Sequence, residues 1–172
     1  MQNEKARSIV DANQIDALED IIKKLNQPDL RIDSIKLCYE ISLLKPKLLS
    51  NYFTQIANCL NFKDEELQAL TLLTLSKLVP ENQIDIWNCR GQICDVVTSG
   101  NERLMEAGLK LFIEMAKSSD EIIKTQASEC VLVIIEILPL ERIQDSISNI
   151  KEADILIKDK INKAINKKIN YQ

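Results

Sequence analysis

Apolar and polar residues recur along this chain at helical spacing, in segments of 14–19 residues separated by Pro, Asn, Asp and Gly. Ile15, Leu18, Ile21, Ile22 and Leu25 follow an i, i+3, i+4, i+7 rhythm behind Asn13, a residue suited to a helix N-cap. Only a short turn is expected before it. Pro28 marks the next boundary, and Asp29 stands in a cap position before Ile32, Ile35, Leu37, Cys38, Ile41 and Leu44. Beyond Pro46, a broad stripe of Leu49, Tyr52, Phe53, Ile56, Cys59 and Leu60 predicts another helix. The segment DEELQALTLLTLSKLV then starts with acids, which suit the positive end of a helix dipole, and is expected to stop at Pro80.

Leu67–Val79 is apolar nearly all round the helical wheel, with Gln68, Thr71, Thr74, Ser76 and Lys77 as its only polar members. A helix with so little polar surface must be covered from several directions. Next come NQIDIWNCRGQICDVVTS, closed by Gly100 as a C′ residue, and NERLMEAGLKLFIEMAKSS, which Asn101 is placed to cap. Residues 130–138, CVLVIIEIL, are rich in β-branched side chains and are the best strand candidate. Helix is still the better reading, because the run extends back to the acid-rich start at Asp120 without a breaker and ends before Pro139. The tail holds a short and a long amphipathic helix, the latter with Ile157, Ile161, Ala164 and Ile165 on its apolar stripe.

Two of these helices are similar to each other. At an offset of 35 residues, Asp33–Leu44 lies over Gln68–Val79, matching Leu37 with Leu72 and Leu43 with Leu78. Periods of this length belong to helical-repeat architectures, in which each hairpin buries its apolar surface on its neighbours. The segment from Asp120 to Ile134, with Asp120, Ile123, Lys124, Ala127, Val131 and Ile134, resembles a HEAT-type repeat helix. A looser version comprises Leu30, Arg31, Ser34, Cys38 and Ile41, and the helix with Ala69, Leu70 and Leu73 keeps only the apolar part. Residues 13–138 thus resemble the HEAT and armadillo proteins, with either two or three helices per repeat. The resemblance implies an all-α fold, a right-handed α-solenoid of stacked antiparallel helix pairs with about 8–9 helices. It also implies a role as a scaffold or adaptor for protein recognition. One domain over residues 1–172 is expected, with 150–172 as a C-terminal capping helix.

Composition narrows the chemistry. Three glycines and four prolines are too few for many hairpins, which again favours helices. There is no histidine, which removes the commonest general base and zinc ligand together. No glycine-rich phosphate loop, nucleophile elbow or carboxylate cluster is present. Cys38, Cys59, Cys89, Cys94 and Cys130 are odd in number and lie in helix-like runs, so buried free thiols in a reducing compartment are expected. Cys89 and Cys94 have four intervening residues and no second pair nearby, poor spacing for zinc. The reading is non-enzymatic, with no cofactor and no metal.

The polar N-terminus and the absence of an uninterrupted apolar run of about 18 residues predict no membrane insertion. The cytoplasm, or the nucleus of a eukaryote, is the expected location. The partner is expected to be another protein, bound by polar positions on the inner helices: Arg31, Lys36, Glu66, Arg103, Lys110 and Glu114. Trp87 and Arg90, residue types enriched in binding hot spots, are read first as core packing with Ile93, Cys94 and Val97, Arg90 reaching out to water.

The alternative partner is nucleic acid. From residue 151 onward six lysines face three acids, a local +3 in a chain of net charge −4. Lys158, Lys160, Lys163, Lys167 and Lys168 would make the phosphate contacts, or would simply solvate a capping helix. The acidity of the whole chain favours protein over nucleic acid.

Overall fold

The computed structural model describes residues 2–12, 14–99, 101–147 and 155–170, with side chains described over 4–12, 14–99, 101–143 and 159–169. Asn13 and Gly100, expected to cap helices, lie outside these residues, as do the side chains of Ile157 and Lys158. Among the described residues there are ten α-helices and no strand. They are α1 (Gln2–Asp11), α2 (Ile15–Lys24), α3 (Arg31–Leu44), α4 (Phe53–Ala57), α5 (Glu65–Asn88), α6 (Arg90–Val97), α7 (Glu102–Met115), α8 (Glu121–Ile137), α9 (Leu140–Ile147) and α10 (Ile155–Asn170). The strand candidate at 130–138 falls almost wholly within α8. An unbroken run from a capped start satisfies every backbone group locally, which outweighs β-branching.

Packing alternates along the chain. α1 packs on α3, α3 on α5, α5 on α7 and α7 on α9; α2 lies on α3, α4 on α5, α6 on α5 and α7, and α8 on α7, while α10 lies on α8 and α9. The helices similar at an offset of 35 residues are thus neighbours, α3 and α5. Their likeness fades at the C-terminal ends, where Leu43 and Leu44 are exposed but Leu78 and Val79 are buried.

α5 shows how this packing covers a helix that is apolar all round. It meets α3, α4, α6 and α7, and Leu67, Leu72, Leu75 and Leu78 are fully buried. Each such side chain contributes about 1.5–3 kcal/mol by leaving water. Thr71 and Thr74 are also fully buried, and their hydroxyls donate one turn back to the carbonyls of Leu67 (2.7 Å) and Leu70 (2.8 Å). Ser76 does the same to Leu73 (2.7 Å), and Gln68 reaches the Leu60 carbonyl (3.0 Å). Short hydroxyl side chains satisfied by their own helix can be buried without leaving a polar group unpaired.

Several boundaries differ from the sequence expectation. The opening segment is a full helix, α1, held by Ala6 and Ile9 in the core. Asp29 does not cap α3: Leu30 occupies the N-cap and no side chain bonds there. The segment after Pro46 is not one helix. It is broken into 3₁₀ turns at Pro46–Leu48, Ser50–Tyr52 and Asn58–Asn61 around the short α4, yet Leu49, Phe53, Ile56, Cys59 and Leu60 are all buried. Pro80 does not stop α5. A proline inside a helix forfeits one backbone bond and crowds the preceding turn, and α5 absorbs this by a break at Asn82 (φ −127°, ψ 29°) before continuing to Asn88. The Asn82 amide donates to the Ser50 carbonyl (3.2 Å) and the Asp85 carboxylate (3.1 Å), tying the bend to the loop before α4.

Other starts follow the sequence. Asn101 accepts from the amides of Arg103 (2.8 Å) and Leu104 (3.3 Å) at the head of α7, and Asp120 from those of Ile122 (2.9 Å) and Ile123 (3.1 Å) at the head of α8. Asp64 accepts from Leu67 (2.9 Å) before the acidic first turn of α5. No helix among the described residues is long and apolar enough to cross a membrane.

Candidate functional site

Three of the six predicted partner-binding residues come together. Arg103, Lys110 and Glu114 lie seven and four residues apart on α7, hence on one face. A cleft of about 180 Å³ is lined by Lys110 and Glu114, by Leu73, Ser76 and Lys77 of α5, and by Tyr39 of α3. A second, of about 300 Å³, is lined by Arg103, Glu106 and Lys110, by Ala69 and Leu73 of α5, and by Arg142 of α9. The two share Leu73 and Lys110, so the polar wall of α7 borders a surface that four alternate helices build.

Charges on this face are paired, within one turn of α7 and between α7 and α9. Lys110 meets Glu106 at 3.0 Å, Lys117 meets Glu114 at 2.9 Å, and Arg142 approaches Glu102 (3.8 Å) and Glu106 (3.7 Å). Solvent-facing pairs of this kind contribute less than about 1 kcal/mol. Their charges can therefore be re-paired with an incoming molecule at small cost.

The other three predicted residues are engaged in the frame. Lys36 of α3 meets Glu66 of α5 at 2.8 Å, a bridge between neighbouring helices that lines neither cleft. Arg31 lies 3.5 Å above the Phe62 ring, and its Nε donates to the Leu25 carbonyl (2.7 Å). A stacked guanidinium bonded to the end of α2 clamps the entry to α3.

The lysines of α10 are used unevenly. Nζ of Lys168 donates to the carbonyls of Ile135 (3.0 Å), Glu136 (3.1 Å) and Leu138, closing the C-terminus of α8. Lys163 meets Asp159 at 2.8 Å. Lys160 and Lys167 are exposed, while Ile161 is buried and Ala164 and Ile165 are partly buried against the core.

A cavity of about 410 Å³ lies elsewhere, and sequence reasoning did not find it. Trp87, Arg90 and Cys94 form one side, Cys130 and Val133 of α8 the other, and Phe112 of α7 is a third contributor. Trp87 is half-buried, with the Arg90 guanidinium 5.1 Å from its ring and bonded to its carbonyl (3.2 Å). Trp87 packs against the core, as its wheel position predicts, and also forms a wall of this cavity. Wheel positions showed that Trp87 and Cys94 share a face; they could not show that α8 stands opposite.

All five cysteines are free. Burial pushes the Cys38 thiol up to about 12 and that of Cys59 to about 11, and also raises Cys89. Among the described residues, no group of three or more His, Cys, Asp or Glu side chains is placed to hold a metal ion. In comparisons with known proteins, no family model and no curated protein matches this chain.

Proposed function

We propose that this chain is a non-enzymatic protein-binding module: a right-handed α-solenoid of the HEAT/armadillo kind, working in the cytoplasm or nucleus, that takes up another protein along the face shared by α3, α5, α7 and α9. The observation that carries this reading is the convergence of Arg103, Lys110 and Glu114 on two adjoining clefts built from four alternate helices. Serial packing of alternate helices leaves such a face open along its length, and solenoids use it for extended partners. Small and short side chains on α5, Ala69 and Ser76, keep the clefts open, while weakly paired charges of both signs border them. A partner segment carrying both acidic and basic side chains fits this border.

Site-specific photo-crosslinking tests the proposal. A photoreactive residue at Lys77 or Arg103 should capture a partner that the same residue at Ile15, on α2, does not. Reversing Arg103 and Lys110 together should abolish that capture while the helical circular-dichroism signal is unchanged. Equal capture from both faces would reject this surface.

Nucleic acid binding through α10 is the weaker reading, since Lys168 is already bonded to three carbonyls of α8 and Lys163 to a carboxylate. Phosphate-driven binding falls steeply with salt. Duplex binding at low salt that is lost with Lys160→Glu and Lys167→Glu would favour it over the protein-binding reading.

A further inference from the structure

We propose that Cys94 and Cys130 form an oxidisable dithiol, in which Cys94 reacts with a hydroperoxide entering the α6–α8 cavity and Cys130 resolves the product to an intramolecular disulfide. The inference is independent of the protein-binding face, whose two clefts are lined by other residues.

Position comes first. The two residues stand on different helices, 36 positions apart, line the same cavity of about 410 Å³ and are both only partly buried. Facing one cavity from two helices, the two thiols are close enough to shift each other's ionisation in opposite directions. A disulfide needs its Cβ atoms about 3.5–4.5 Å apart, so the bridge requires α6 and α8 to bring these two cavity-lining residues to that separation. Cys38 and Cys59 also influence each other but are buried, with the Cys59 thiol directed to the Gln55 carbonyl (3.8 Å), and Cys89 does not line this cavity.

Electrostatics sets the order of events. The Cys130 thiol holds Cys94 down at about 7; burial and Asp95 oppose this, and Arg90, one turn earlier on α6, assists it. Cys130 is pushed up by the Cys94 thiol, then by burial, the Cys94 charge and Glu129. At neutral pH the nucleophile is therefore the Cys94 thiolate. It attacks the outer oxygen of the hydroperoxide; an S–O bond forms, the O–O bond breaks, and the alkoxide or hydroxide leaves, taking a proton from solvent to become alcohol or water. The resulting sulfenic acid is uncharged, so the Cys94 charge no longer opposes ionisation of Cys130, leaving only burial and Glu129 against it. Cys130 then attacks the Cys94 sulfur; the S–S bond forms, the S–O bond breaks, and water departs with the thiol proton. Two electrons pass from the thiols to the hydroperoxide, and a dithiol reductant reverses the change by exchange. The bridge would tie α6 to α8 across the cavity mouth.

The test uses the full reduced chain at pH 7 with hydrogen peroxide as the oxidant. Titratable thiols should fall from five to three, and a non-reduced digest should contain Cys94 joined to Cys130. In Cys130→Ser, dimedone should label Cys94 as trapped sulfenic acid; in Cys94→Ser, no label should appear at Cys130. Iodoacetamide should alkylate Cys94 about tenfold faster than Cys89 at pH 7 in the wild-type protein. Absence of the Cys94–Cys130 peptide from oxidised wild-type protein, or alkylation of Cys94 no faster than of Cys89, would overturn the proposal; both readings come from the native sequence and do not depend on a variant folding.

Discussion

Gly108 of α7 faces Val97 of α6 so closely that a Cβ added at 108 would stand 2.3 Å from one Val97 methyl and 2.9 Å from the other. Neither methyl can swing away cheaply, because a β-branched side chain has few rotamers and Val97 is buried. The missing side chain is what lets the short α6 lie on the central α7.

Gly108→Ala is therefore expected to destabilise. Overpacking costs about 1–3 kcal/mol, against a helix-propensity gain of up to about 1 kcal/mol. Gly91 in α6 is the control, since nothing lies within 4 Å of a Cβ placed there. Gly91→Ala should stabilise by about 0.5–1 kcal/mol. Urea unfolding of the two variants measures both, and a stabilised Gly108→Ala would contradict the close approach of α6 and α7.

Two aspartates before helices should behave differently. Asp120 accepts two backbone amides at the start of α8, whereas Asp29, two positions before α3, supplies no cap bond. Asp120→Ala is expected to cost about 1 kcal/mol, and Asp29→Ala to stay within about 0.5 kcal/mol of wild type. Thermal unfolding at fixed pH separates them, and equal losses would place a cap at Asp29 after all.

The buried thiol of Cys38 links stability to alkaline pH. Burial, with a smaller contribution from Cys59, raises it from an ordinary 9.0 to about 12 in the folded chain. The folded state thus keeps this proton over a range in which the unfolded chain releases it. Its contribution is complete below pH 9 and is lost progressively between about 9 and 12, on the order of a few kcal/mol. Cys38→Ala should lower stability at pH 7 through the cavity it leaves, yet flatten the decline above pH 9. The slope of the urea midpoint against pH reads this directly; an unchanged slope would refute the linkage.

The helical class was legible in the residues because it rests on local chemistry. Spacing of Ile, Leu and Ala set the apolar faces, and Asn101 caps a helix using only its own side chain and the next turn. The same local reasoning failed where a distant group decides the outcome. Pro80 bends α5 without ending it, because α3, α4, α6 and α7 cover the helix and Ser50 accepts a bond from Asn82 at the bend. Asp29 has cap chemistry, but the backbone turns into α3 one residue later. Of the predicted partner residues, Arg103, Lys110 and Glu114 border two adjoining clefts because α7 carries all three, while Arg31 is turned aside by Phe62 and Leu25.

From its residues alone this chain determined that it would be helical, roughly where most helices lie, and that Leu67–Val79 would need cover on every side. Helical periodicity is a property of neighbours within a few turns, and it survives whatever the helix packs against. Only the tertiary structure decided which faces meet: that Gly108 receives Val97, that Lys168 closes α8, and that Cys94 stands against Cys130 across a cavity. Those relationships join groups tens of residues apart, and they depend on the rotation and offset of packed helices, which side-chain shape and buried volume select jointly across the whole core.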